Sequence, residues 1–208
     1  MYKAEELRGL KLKPRINDVD LRTLQDYYSK FLNPFIYQYD VVEDKKQKTI
    51  QLRFDEENFC HLLGIESIVK YSVSRKELHN YKGQDGWNFI KNEGIGLNDL
   101  KKMNKNKFKS MKAKFVYFYL MADIIEKPVA VNFKNEAVKP PTRIDCDILF
   151  YTKEENAVVH LGIKKDELLG YYIPKTFFVE KMGEDGGDIY IDKQKKIEVI
   201  KKNRIIML

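Results

Sequence analysis

Near the C-terminal end of the chain, His160, Tyr172, Lys175 and Thr176 fall close together. A histidine titrates near neutrality and can take or give a proton. A lysine opposes charge that develops on phosphate oxygens, and hydroxyls orient them. With Arg143 just upstream and a second histidine, His61, these residues suit phosphodiester cleavage without a metal. On RNA the reaction needs a base for the 2′-OH, an acid for the departing 5′ oxygen, and cations or donors at the phosphate. The internal 2′-OH nucleophile removes the need for a metal, so RNA is the expected substrate. His160 and His61 are the expected acid–base pair, with Lys175, Arg143, Thr176 and Tyr172 at the phosphate. Each residue also has a plainer account: His160 as a packed strand residue, Lys175 as edge protection, Thr176 as a β-former and Tyr172 as core rim.

The stretch 143–180 has to position this chemistry. Ile144, Cys146, Ile148 and Phe150 alternate with Asp145, Asp147, Leu149 and Tyr151, the period of a half-buried strand. Residues 153–156 can turn, and Val159, Leu161 and Ile163 alternate on the way back. Pairing Thr152 with Ala157 puts Phe150 opposite Val159, Ile148 opposite Leu161 and Cys146 opposite Ile163, all apolar. His160 then shares the opposite face with Tyr151, Leu149 and Asp147. A third strand brings Tyr172, Lys175 and Thr176.

Upstream, Asp18 reads as the cap of a helix with a Leu21, Leu24, Tyr28, Phe31, Leu32 face, stopped by Asn33-Pro34. Residues 35–43 and 49–54 suggest a hairpin about a charged turn. Asp55 can cap a helix over 56–63 that buries Phe59, Leu62 and Leu63, is closed by Gly64 and leaves His61 facing outward. Residues 79–100, glycine-rich and bearing Trp87, read as a long surface loop. Residues 101–114 carry seven lysines and no acidic residue on an approximately helical pattern. Lys101, Lys102, Lys105, Lys109 and Lys112 are therefore the expected RNA-binding face, with a merely solvated helix as the alternative. After residues 115–125, a buried helix, come a connector over 129–142 and the hairpin. A turn over 183–187 precedes a last hairpin over 189–200 and a short strand from Arg204. Helix and hairpin, then helices, then strands make an α+β chain with a twisted antiparallel sheet. The domain reading is an N-terminal helical extension over 1–34 and one α+β domain over 35–208.

The 208 residues carry 38 Lys+Arg against 31 Asp+Glu, a net +7 that suits an anionic partner, nucleic acid before membrane. The two cysteines, Cys60 and Cys146, sit in apolar patterns without CxxC spacing and read as buried thiols. No signal peptide opens the chain, and the longest apolar run, 115–125, is too short to span a bilayer, so a cytoplasmic protein without membrane attachment is expected. No P-loop, GxGxxG, GxSxG or HExxH is present. Asp145 and Asp147 share a strand face and have the type to hold magnesium. They read first as the polar side of an edge strand, so no metal or other cofactor is expected.

Three phrases carry a family resemblance: Asn58-Phe59-Cys60-His61-Leu62-Leu63-Gly64-Ile65, Val159-His160-Leu161-Gly162-Ile163 and Tyr171-Tyr172-Ile173-Pro174-Lys175-Thr176-Phe177-Phe178. They resemble the phage-associated barnase–EndoU–colicin–RelE (BECR-fold) nuclease domains, particularly the group with an F-x-H-L-x-G helix, over residues 54–199. The resemblance implies helices on one face of a small twisted antiparallel sheet, with metal-free ribonuclease chemistry on the other. It implies a phage or other mobile element, and roles as a toxin, in abortive infection or in counter-defence. One such role is an anti-CRISPR acting on guide RNA. Expected partners are RNA and, through that biology, a host or CRISPR ribonucleoprotein or a cognate antitoxin. From the family's motifs come His61, His160, Lys175 and Thr176. Two other readings compete: a basic module that binds RNA or an acidic protein without cutting, and a protein inhibitor anchored by Trp87 in its loop.

Overall fold

Asp20, rather than Asp18, starts the first long helix, its carboxylate accepting the Arg22 N–H at 3.1 Å. Asp18 closes a short 3-10 turn just before it. The computed structural model describes residues 1–43, 45–183 and 187–207, and of Glu93 the backbone alone. The chain divides into two units.

The first unit is Met1–Pro34 with Asp55–Leu120. It is helical: α1 (Ala4–Arg8), α2 (Leu21–Phe31), α3 (Asn58–Leu63), α4 (Ile65–Val69), α5 (Gly83–Glu93), α6 (Leu97–Met103) and α7 (Lys105–Tyr117). An aromatic cluster forms its core, with Phe59 edge-on to Trp87 at 5.3 Å and to Tyr28 at 5.4 Å. Buried tyrosine hydroxyls need partners, and Tyr28 donates to the Asp55 carbonyl at 2.7 Å. The expected glycine-rich loop over 79–100 is therefore helix, and Trp87 is 2% exposed. The glycines misled because one of them answers to packing: a Cβ on Gly86 would stand 2.8 Å from both Cys60 Sγ and the Tyr81 backbone. This burial removes the exposed aromatic on which the Trp87-anchored inhibitor reading depended.

The lysine-rich run is two helices, broken at Asn104, whose side chain caps α7 by accepting the Lys107 N–H at 3.0 Å. Phe108 and Phe115 lie seven residues apart on α7 and stack at 5.5 Å, which fixes its core face.

The second unit is Phe35–Phe54 with Met121–Leu208. It comprises α8 (Met121–Glu126) and strands β1 (Phe35–Glu43), β2 (Lys46–Arg53), β3 (Val129–Asn132), β4 (Ile148–Lys153), β5 (Ala157–Lys165), β6 (Tyr172–Lys181) and β7 (Lys195–Ile206). They close as β1-β2-β6-β5-β4-β3-β7, so the α+β class holds but the open sheet expected from sequence is a barrel. Closure comes from β7, which pairs with both β1 and β3. The expected final hairpin and tail are mostly this one strand, and residues 184–186 of the expected turn lie outside the described residues. A register shift between Asp40 and Val41 skips Ile200 on β7 and inverts the strand's inside–outside alternation there, which hides it from a period-two reading.

The β4–β5 hairpin pairs Phe150 with Leu161 and Tyr151 with His160, a slip of two residues from the expected register. An even slip keeps every side chain on its face. Inside the barrel, Tyr39 meets Phe150 at 5.5 Å and donates its hydroxyl to the Ile125 carbonyl of α8 at 2.8 Å. Outside, a second apolar layer of Val131, Phe133, Val138, Leu149, Val158 and Ile191 covers the β4–β5 face. Strand β5 is thus buried on both sides.

Candidate nucleic-acid interface and reaction site

The hairpin carries His160 outward and the second apolar layer closes over it. The ring has no solvent exposure. Phe178, its cross-strand partner, stacks on it at 4.3 Å and 8°, and Tyr190 meets both rings edge-on. His160 Nε2 lies 2.8 Å from Asp188 Oδ2. That is ion-pair distance, but the N–H is not aligned for a well-formed hydrogen bond, and Nδ1 has no partner among the described residues. Burial pushes the Asp188 carboxyl up, yet the His160 contact and charge and the Tyr190 N–H outweigh it and hold it below the usual carboxylate range. The pair thus clasps the Asp188–Ile191 turn onto the barrel. Asp188 gives no signal in the sequence, lying 28 residues from its partner beside a run of glycines.

The other barrel residues lie along β6 and its approaches. Thr176 sits opposite Gly162, where a Cβ would stand 2.6 Å from Thr176 Cγ2 and 2.9 Å from Cys146 Sγ, so only glycine fits. Thr176 and His160 therefore occupy neighbouring rows of one face. Lys175 is half-buried at the β5–β6 register shift, and Arg143 is exposed before β4. Tyr172 begins β6 opposite Lys165. Burial raises its hydroxyl pKa, with Lys48, Asp147, Lys165 and Glu43 as charged neighbours. Cys146 and Cys60 are buried free thiols, each pushed up to about 12 by burial.

In the helical unit His61 is exposed on α3, where its off-stripe position sets it. Leu62, the next residue, offers its carbonyl to Lys114 Nζ at 3.1 Å. A cation suits the C-terminal end of a helix. Burial first, and Lys107 second, bring the Lys114 pKa down to about 8. Gly64 ends α3 in the left-handed region (φ 71°), and Met111 Sδ packs 3.1 Å from where its Cβ would be.

The opposite flank of α7 borders a groove of about 630 Å3. Lys13, Arg15, Lys109 and Lys112 line it around Pro14, Val116 and Tyr117. Lys13 Nζ stands 5.3 Å from the Tyr117 ring centroid. Among the described residues no carboxylate lines this groove. Two expected RNA-binding lysines, Lys109 and Lys112, therefore share a groove with Lys13 and Arg15 of the N-terminal segment. Lys105 is exposed on α7, Lys101 lines an adjoining cavity, and Lys102 faces Asp99 at 3.7 Å. Among the described residues, no three His, Cys, Asp or Glu side chains group as metal ligands, and no helix is long and apolar enough to cross a membrane.

With this geometry in place, the comparisons agree with the motifs. A family model described as phage-Barnase-EndoU-ColicinE5/D-RelE like nuclease4 matches residues 20–206, and the chain belongs to that family. The match takes in residues 20–53, which the motif resemblance had left outside. No curated protein and no solved structure matches the chain. The family is one of phage-type nuclease-like proteins, whose substrate class is nucleic acid.

Proposed function

We propose that the protein is a metal-independent endoribonuclease of a phage or mobile element, acting in the cytoplasm on single-stranded RNA. The observation that carries this reading is the groove beside α7, whose charged lining residues are all cations, in a chain of a nuclease family. Single strands bind where cations track the phosphates. Phosphates lie along Lys13, Arg15, Lys109 and Lys112. At about 100° per residue, Lys109, Lys112 and Val116 occupy one flank of α7, and Lys107, Met111 and Lys114 the other, against α3. A strand crossing the solvent side of α7, which carries Asn106 and Ser110, passes from the groove toward His61.

His61 takes the 2′-OH proton as that oxygen attacks phosphorus, and the imidazolium returns a proton to the departing 5′ oxygen. A 2′,3′-cyclic phosphate and a 5′-OH result, and the α7 lysines oppose the charge that builds on the non-bridging phosphate oxygens. On this reading His160 positions the Asp188 turn. Lys175, Thr176, Arg143 and Tyr172 are proposed as phosphate contacts of the barrel unit. Toxin, defence and counter-defence uses, including action on a guide RNA, all draw on the same chemistry.

Incubating the protein with mixed RNA in excess EDTA and mapping the ends tests this. Cyclic-phosphate ends support it, and intact RNA removes the cleavage claim. The same groove also favours a second reading, a module that holds RNA without cutting. Salt-sensitive binding without cleavage is the result that selects it.

A further inference from the structure

We infer that β7 offers a docking edge over residues 201–206, on the side away from β1, to an acidic extended segment of a protein partner that joins the barrel unit as a further strand. This is independent of the RNA-cleaving reading. Strand β7 pairs with β3 at 195–197 only, and with β1 over 198–206. Pro128, which has no N–H to give a ladder, stands just before β3. A groove of about 400 Å3 lies there, with Lys127 and Pro128 on one wall and Val199, Ile200 and Lys202 on the other.

Among the described residues no strand pairs with that side of β7 from residue 198 onward. In an antiparallel pair only alternate residues send their N–H and C=O to the partner, so the others project the opposite way. Past the irregularity at Ile200, residues 201–206 run in unbroken register with β1 and present a regular outward edge. Ile205 and Ile206 beside it are 46% and 66% exposed. Directly opposed residues share a face. Lys202 and Arg204, opposite Tyr39 and Tyr37, therefore lie on one face, and Lys201 and Ile205, opposite Asp40 and Ile36, on the other. Along β7 five Lys and Arg residues stand against one acid, Glu198, and Lys127 adds a cation from the groove. The nearby carboxylates are already engaged: Glu126 is 3.5 Å from Arg204, and Asp40 accepts the Thr49 hydroxyl at 2.7 Å.

The outward N–H and C=O groups of an extended strand are matched by another extended polypeptide, which supplies both partners at the same repeat. The cations then select its side chains. Edge lysines oppose pairing with a second copy of the chain, which would set residues 201–204 against the same cationic run in a molecule of net charge +7. A segment with carboxylates beside Lys202 and Arg204 and aliphatic side chains beside Ile205 satisfies the backbone, the charge and the exposed apolar surface together. Side chains alternate along a strand, so alternating acidic and aliphatic residues meet that pattern.

The test is hydrogen–deuterium exchange of the full chain in a large excess of a short peptide alternating valine and glutamate. The outward amides of 201–206 should exchange about tenfold more slowly, the factor expected when about nine-tenths of the protein is bound. A valine–lysine peptide should leave them unchanged, and Lys202→Glu should lose the protection while melting near wild type. No protection at 201–206, or equal protection by both peptides, overturns the docking edge. So does protection that survives N-methylation of the whole peptide backbone, since such a peptide donates no ladder hydrogen bonds. Protection that appears without peptide as protein concentration rises, or with an oligoadenylate instead, assigns the edge to a second copy or to RNA and also overturns it.

Discussion

A histidine followed by leucine, two at His61 and one at His160, and then a glycine-isoleucine pair occurs twice in the chain, with opposite outcomes. On α3 the 3.6-residue period buries Phe59, Leu62 and Leu63 and turns His61 to solvent. On β5 the alternation also turns His160 away from the barrel interior, but a second apolar layer covers that face and Asp188 meets the ring. Periodicity decides which face a side chain takes. What lies over that face comes from distant chain and decides whether the side chain meets a substrate. Histidine type therefore nominated both residues equally, and cover separates them.

Removing each imidazole in turn separates the two histidines most strongly. Removing an acid–base group typically costs ~10²–10⁴ in rate, so His61→Ala should lose that much RNA cleavage while its thermal unfolding stays near wild type. His160→Ala should act through the fold. It leaves the buried Asp188 carboxylate with the Tyr190 N–H but without its imidazole partner, a loss of about 3–5 kcal/mol by urea unfolding. The sign with pH follows from Asp188. Its folded pKa is depressed, so its contribution is present above the unfolded value and is lost as pH falls through the folded one. Stability measured downward from about pH 5 should therefore fall more steeply in wild type than in Asp188→Asn.

Smaller effects are expected on the helical side. Lys109→Ala and Lys112→Ala should each weaken RNA binding and lower the slope of log affinity against log salt by about 0.7. An unchanged slope would take the phosphates off this groove. Smallest is Lys114, whose folded pKa of about 8 lies below its unfolded value. The unfolded chain holds that proton to higher pH, so stability should rise as pH goes from about 8 toward 10. Lys114→Met should raise the melting temperature at neutral pH and flatten that rise. A Tm lowered at neutral pH would show the Leu62 contact outweighing the desolvation.

The parts legible in sequence were those fixed by local period: the α2 and α3 stripes, the β1–β2 hairpin and the facing of the β4–β5 hairpin, which survived an even register slip. The parts that were not legible depend on partners far along the chain. Strand β7 changes phase at Ile200, and α5 keeps Gly86 because Cys60 and Tyr81 crowd it. The groove needed Lys13 and Arg15 to meet Lys109 and Lys112 across more than ninety residues. His61 was legible as exposed; the burial of His160 required Asp188, Phe178 and Tyr190, none of which a local pattern ties to it.

On the proposed function, the exposed histidine of α3 does the chemistry. Single-turnover cleavage of RNA in excess EDTA, measured side by side for wild type, His61→Ala and His160→Ala and scaled to folded protein, tests it directly. Wild type and His160→Ala should leave 2′,3′-cyclic phosphate ends, and His61→Ala should not. Undiminished cleavage by His61→Ala would contradict it.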